Sequence, residues 1–127
     1  MKRRQQIFTL IAISILLTAT YGSHVYAQAP DRLQGLWMNE QGSRKAEFYP
    51  DQNIYFGKLI WQADQTKAKV GDIVFRDLVW NGRLFMGKAV TPRGIASCTI
   101  SFESEDKIKI TGSKGGMSKS VIWTRVK

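Results

Sequence analysis

The stretch Ala96-Ser97-Cys98-Thr99-Ile100-Ser101-Phe102-Glu103 alternates without a break. Successive side chains of an extended strand point to opposite faces, so Ala96, Cys98, Ile100 and Phe102 share one side and Ser97, Thr99, Ser101 and Glu103 the other. Lys107 to Thr111 repeats the pattern, with Ile108 and Ile110 set against Lys107, Lys109 and Thr111. The intervening Ser104-Glu105-Asp106 has the chemistry of a turn. Two half-buried strands joined in this way predict an antiparallel hairpin.

Working outward, similar punctuation divides the rest of the chain: Glu40-Gln41-Gly42-Ser43, Pro50-Asp51-Gln52-Asn53, Asp64 to Gly71, Asn81-Gly82, Thr91-Pro92-Arg93-Gly94 and Gly112-Ser113-Lys114-Gly115-Gly116. Asn81-Gly82 is the strongest two-residue hairpin signal, because both positions tolerate φ > 0. The segments between are rich in Val, Ile, Phe, Tyr, Trp and Thr, as strands are. Short connections make sequential strands antiparallel neighbours. Eight such strands hide their edges best by closing on themselves. The expected fold is all-β: an eight-stranded antiparallel up-and-down barrel. Ile54 to Trp61 and Asp72 to Trp80 carry large apolar groups on both faces, which predicts cover on the outside by a loop, a partner or a dimer mate. Phe56-Gly57-Lys58 and Met86-Gly87-Lys88 echo one another, either by coincidence or because glycine marks a bend in each strand.

The N-terminal part reads differently. Lys2, Arg3 and Arg4 precede an apolar run from Ile7 to Leu17, and Val25-Tyr26-Ala27 offers a peptidase site. That is the layout of a secretory signal peptide over residues 1–27. The run is well short of the ~20 residues a spanning helix needs, so cleavage and no membrane span are expected. Residues 28–127 then form one periplasmic or secreted domain, large enough to bury a core unaided. Removing Lys2, Arg3 and Arg4 from 19 basic residues leaves 16 against 10 acidic ones, a net charge of +6. Asp31 is placed to cap a single helical turn running into Gly35.

Few catalytic groups remain. The one histidine, His24, leaves with the leader, which removes His-based triads and the commonest zinc ligand. Cys98 is the lone cysteine and cannot form an internal disulfide. Glu103, Glu105 and Asp106 belong to a solvated turn. Asp72 and Asp77 are an odd number of residues apart on a strand and point to opposite faces, so they are not a carboxylate pair for glycoside cleavage. Ser118-Lys119-Ser120 follows a glycine-rich turn that lacks the ending of a phosphate loop. No enzyme, cofactor or metal is expected.

The two ends of the 28–127 segment carry a resemblance. Gly35-Leu36-Trp37 opens the first strand, and Trp123-Thr124-Arg125-Val126 lies in the last. Between them, in order, come Glu47-Phe48-Tyr49, Tyr55 to Trp61, Trp80-Asn81-Gly82, Phe85-x-Gly87-Lys88, Pro92-x-Gly94 and Lys107 to Gly112. This order resembles the bacterial domain-of-unknown-function family 2147, whose members look like exported, lipocalin-like barrels. In lipocalins and related folds an arginine of the last strand packs over the Gly-x-Trp tryptophan at the closed end. The resemblance therefore implies Gly35, Trp37, Trp123 and Arg125 as the barrel closure. The chain departs from the family pattern between Asp72 and Asn81, where an Asn-Pro segment and an arginine-rich stretch are missing, and at Ala96-Ser97-Cys98, where a tyrosine is common.

The candidate lumen-lining residues are Phe56, Trp61, Phe75, Trp80, Met86, Cys98 and Phe102. An eight-stranded interior is just wide enough to be filled by side chains or to hold one small ligand. Both outcomes stay open at this level. The expected function is an exported, non-enzymatic barrel that binds a small apolar or amphiphilic ligand. The alternative is an envelope interaction or inhibitor protein acting through its outer surface. Lys67, Lys69, Lys107, Lys109, Lys114 and Lys119 suit an anionic envelope component, or equally a solvated face that discourages edge pairing. Nucleic acid fits the charge but no recognition motif accompanies it.

Overall fold

Eight strands follow a 3₁₀ turn at Pro30–Leu33 in the computed structural model, which describes residues 30–64 and 68–127. The leader expected over 1–27, and Lys67, lie outside the described residues. Arg32–Lys127 forms the barrel unit. Its strands are β1 (Gly35–Asn39), β2 (Arg44–Asp51), β3 (Ile54–Gln62), β4 (Ile73–Trp80), β5 (Phe85–Thr91), β6 (Gly94–Ser104), β7 (Lys107–Lys114) and β8 (Met117–Arg125). Each pairs antiparallel with the next, and β8 returns to β1 through Trp37↔Arg125, Met38↔Thr124 and Asn39↔Trp123. The sheet is a closed eight-stranded barrel.

The tight turns sit where the backbone can take positive φ. Gln52 and Asn53 (φ 52° and 70°) link β2 to β3, and Gly115 and Gly116 (59° and 81°) link β7 to β8. Paired positive φ matches the right-handed twist of the strands on either side. Strands run further into four predicted turns than composition suggests: Pro50 and Asp51 end β2, Thr91 ends β5 and Gly94 opens β6, Ser104 ends β6, and Gly112 to Lys114 end β7. Asn81-Gly82 does not make a two-residue hairpin. The connection is residues 81–84, because the Asn81 Oδ1 accepts from the backbone N–H groups of Arg83 and Leu84, each at 2.9 Å, and holds a wider turn.

Register shifts bend the wall in four of the ladders, and three of them shape the region of interest. One falls at Lys45/Ala46, opposite Trp61 and Leu59. A second is in β4, between Ile73, which pairs with Lys58, and Phe75, which pairs with Gly57; Val74 is the extra residue. The third is at Arg76 to Val79, with Asp77 at φ 56°. Gly87 faces this last bulge. A Cβ there would stand 2.7 Å from the Arg76 carbonyl oxygen and 2.8 Å from that of Asp77. Gly57 has a different reason: a Cβ would meet Phe75 at 2.8 Å and Phe48 at 2.9 Å. The two glycines of the sequence echo thus serve a backbone approach in one strand and a ring contact in the other.

Candidate functional site at the mouth of the barrel

The inward positions differ from one end of the barrel to the other. Near the chain's entry and exit they are large. Trp37, Phe48, Leu78, Phe85, Ile100 and Ile108 are fully buried, and Tyr55, Phe75 and Trp123 nearly so. Phe48 stacks on Phe75 at 5.3 Å, Trp123 meets Phe75 edge-on at 5.7 Å, and Phe85 contacts Tyr55 and Trp80 at 5.2 and 5.0 Å. This half of the lumen is filled by its own rings, and such pairs add to the stabilisation from area alone.

A latch seals it. The Trp37 Nε1–H donates to the Leu33 carbonyl at 2.9 Å, and the Arg125 guanidinium lies 4.4 Å above the Trp37 ring. Arg125 also donates to the carbonyls of Gln34 at 3.2 Å, Glu105 at 3.3 Å and Arg32, and its Nε is 3.4 Å from Asp106. Gly35 makes room for it: φ is 133°, and a Cβ would sit 3.1 Å from Arg125 Nη1. The structure thus places Gly35, Trp37 and Arg125 in mutual contact, with Trp123 two residues before Arg125 in β8.

Towards the other end the inward positions shrink to Ala46, Ala89, Ala96, Cys98 and Gly112, and Gly87↔Cys98↔Gly112 form one row across three strands. A cavity of about 500 Å³ opens at the same end, lined not by that row but by Arg44, Gln62, Ala68, Asp72, Ile73, Val74, Val90, Thr91 and Pro92. It falls within the size range of small-molecule sites. Ala68 and Asp72, from the connection between β3 and β4, form one wall, and the described part of that connection is anchored by hydrogen bonds to β3. Leu59 donates to Asp72 at 2.8 Å, Gly71 donates to Leu59 at 2.7 Å, and the Gln62 amide Nε2 donates to the Ala68 carbonyl at 2.8 Å.

Of the expected lining residues, Phe75, Trp80, Cys98 and Phe102 lie on the inward face. Phe75, Trp80 and Phe102 belong to the filled half, where Trp80 and Phe102 approach at 6.1 Å. Cys98 is 2% exposed, and burial pushes its thiol up to about 12. Phe56, Trp61 and Met86 point outward, a correction. Phe56 lies between inward Tyr55 and Gly57 and stacks on Tyr49 at 6.0 Å. Trp61 is 41% exposed beneath the Lys45 ammonium, because the extra residue Ile60 shifts the parity of β3 and turns Gln62 inward instead. Met86 is half exposed on the outer face beside Val79. The polar residues of the cavity, Arg44, Gln62, Asp72 and Thr91, were not among the candidates. A signal for Arg44 was present: it alternates with Ala46 and Phe48, both fully buried.

Among the described residues no group of three His, Cys, Asp or Glu side chains is arranged to hold a metal, and no helix is long and apolar enough to cross a membrane. No protein-family model and no curated protein matches the sequence. A solved structure does: protein HP1028 from Helicobacter pylori, described as belonging to the lipocalin family, superposes with a TM-score of 0.61 at 21% identity, over 75% of this chain and 83% of that one. At that identity the likeness is one of fold, and the barrel is lipocalin-like.

Proposed function

We propose that the protein is an exported, non-enzymatic carrier that takes a small amphiphilic ligand into the cavity at the mouth of its barrel. The observation that carries this is the cavity itself. Rings fill the lumen near the chain's entry and exit, while a cavity of about 500 Å³ opens at the other end between the start of β4, the end of β5 and Arg44 and Gln62. The apolar lining of Ala68, Ile73, Val74, Val90 and Pro92 suits the body of such a ligand, and the few polar groups suit its head. The lipocalin-like fold supports the same reading. Export rests on the Lys2-Arg3-Arg4 and Ile7 to Leu17 pattern, and N-terminal sequencing of protein recovered from the envelope tests it.

Native mass spectrometry and solvent extraction of the purified protein should recover a bound amphiphile. Val90→Trp, placed to fill the cavity, should abolish uptake of an apolar fluorescent probe and leave the melting temperature within about 2 °C, as surface changes do. Probe uptake unchanged by Val90→Trp would remove the cavity from the mechanism. A second reading, docking of an envelope partner on the outer face, is favoured by the register pair Val79↔Met86, 50% and 53% exposed. Cross-linking in envelope extracts that survives Val79→Lys would count against it.

A further inference from the structure

We propose that Arg44 is an anion anchor, and that the ligand of the mouth cavity carries a compact anionic head on its apolar body. The inference deepens the carrier reading and rests on it. Arg44 opens β2 at the rim and lines the cavity. Its Nε is buried without a hydrogen-bond partner. Among the described residues no carboxylate lies within ion-pairing distance of it. Asp72, the one carboxylate of the lining, receives the Lys69 N–H on Oδ2 at 3.0 Å.

Arg44 is half-buried, and withdrawing even part of a guanidinium from water without a partner is unfavourable. Desolvation lowers the pKa of Arg44, in keeping with that cost. Arg76 makes a contrast. Its Nε also lacks a hydrogen bond, yet it stands on the exposed side of β4 with Asp77 Oδ2 at 3.9 Å. Arg44 has neither carboxylate nor full hydration, and it faces a space large enough for a ligand. An arginine's planar fork meets a carboxylate or phosphate with two parallel hydrogen bonds. That head would satisfy the guanidinium while the tail lies on Val74, Val90 and Pro92.

The surroundings agree in sign. The strand ends and connections at the mouth bring Lys45, Lys69, Arg93, Lys114 and Lys119 to the same end as Arg44, against Glu40, Asp64 and Asp72. At the opposite end Asp51, Glu103, Glu105 and Asp106 are matched by Arg32, Arg83, Lys107, Arg125 and Lys127, with Asp106 held by Arg125 and Lys127, so the excess of positive charge lies at the mouth. A field of this polarity draws anions to the mouth and speeds their capture.

The test is calorimetric titration of the full-chain protein with octanoate, octyl phosphate, octanol and octyltrimethylammonium. Octanoate or octyl phosphate should bind at least about tenfold more tightly than octanol, and the cation should not bind. The better of the two anionic heads shows whether the source is a free fatty-acid-like molecule or a phosphorylated lipid. Arg44→Gln should weaken anion binding by about ten- to hundredfold, the usual worth of a charged hydrogen bond, and change octanol binding by less than about twofold. Arg44→Lys should restore part of the loss. Ligand-free Arg44→Gln should melt at or above wild type, since an unsatisfied charge has been removed. Equal affinity for octanoate, octyl phosphate and octanol, an equal loss of all three in Arg44→Gln, or a melting point several degrees lower would overturn the anchor and leave the cavity reading standing. Binding of none of the four compounds would overturn both.

Discussion

The two ends of this barrel are made by the same eight strands and differ in what each strand puts inside. At the closed end, β1, β2, β4, β5 and β8 contribute Trp37, Phe48, Leu78, Phe85 and Trp123. At the mouth, β2, β5, β6 and β7 contribute Ala46, Ala89, Ala96 and Gly112. The large rings are therefore gathered towards one end of the axis, while towards the other small residues are interspersed with Leu59 and Val74. Charge differs as well: cations outnumber carboxylates at the mouth, whereas at the sealed end Asp51, Glu103, Glu105 and Asp106 are matched by Arg32, Arg83, Lys107, Arg125 and Lys127.

The largest expected effect lies at the sealed end. Trp37→Ala removes a fully buried ring, its hydrogen bond to Leu33 and the seat of Arg125, and should cost about 3–5 kcal/mol in denaturant unfolding. Val90→Ala at the mouth should cost under about 1 kcal/mol, because Val90 is already 39% exposed. Equal costs would break the contrast between the ends.

Arg125→Ala comes next, at about 2 kcal/mol. It loses the Trp37 ring, three carbonyl acceptors and Asp106 together. A change within about 0.5 kcal/mol, as at an ordinary surface arginine, would show that the latch is ornamental.

How much of this was legible in the chain depends on the period of the strand. Where alternation is strict, as from Ala96 to Phe102, both the strand and its inward face can be read directly. In β3 and β4 large apolar residues occupy both faces, and bulges at Lys45/Ala46 and Arg76 to Val79 reverse the parity partway along. A count of twos puts Phe56 outward once Tyr55, Gly57 and Leu59 are taken as inward, but it cannot place Trp61 without the bulge. The mouth was harder still. Arg44, Gln62, Asp72 and Thr91 meet only after four strand ends and a long connection have been arranged. The aromatic residues carry no pointer to them, since they occupy the filled half and the outer face.

Gly87→Ala tests the wall between the halves. The new methyl would press on two carbonyl oxygens of the Asp77 bulge, neither of which can swing aside as a side-chain tip would. A loss of about 1–3 kcal/mol is expected. A second change, Asp77→Gly, should recover part of it by easing the positive φ.

The smallest effect concerns Cys98, which lies between the two halves. Its thiol ionises near 9 in the unfolded chain and near 12 in the barrel, so the native state holds its proton longer. The resulting stabilisation is complete below pH 9 and falls as pH rises towards 12, with a slope of up to about 1.4 kcal/mol per pH unit. Wild type should lose stability faster than Cys98→Ala across that window, and thiol labelling of the folded protein at pH 8 should be slow. Rapid labelling would mean that the mouth cavity extends down to Cys98, moving the boundary between the ends.

The seam between β1 and β8 has a consequence for the order of assembly. Seven of the eight ladders join strands adjacent in the chain, so each closes a short loop. The eighth joins Trp37 to Arg125 and is only three pairs long, against eight for β7 with β8. Its loop-closure entropy is the largest in the molecule, while its own hydrogen bonds are few. Local hairpins can form early, but the ring cannot close until nearly the whole chain is in place. Arg125 then works as a clasp: it ties residues 32, 34, 37, 105 and 106 together in one step, and the fold becomes a sheet without an edge only when that clasp is shut.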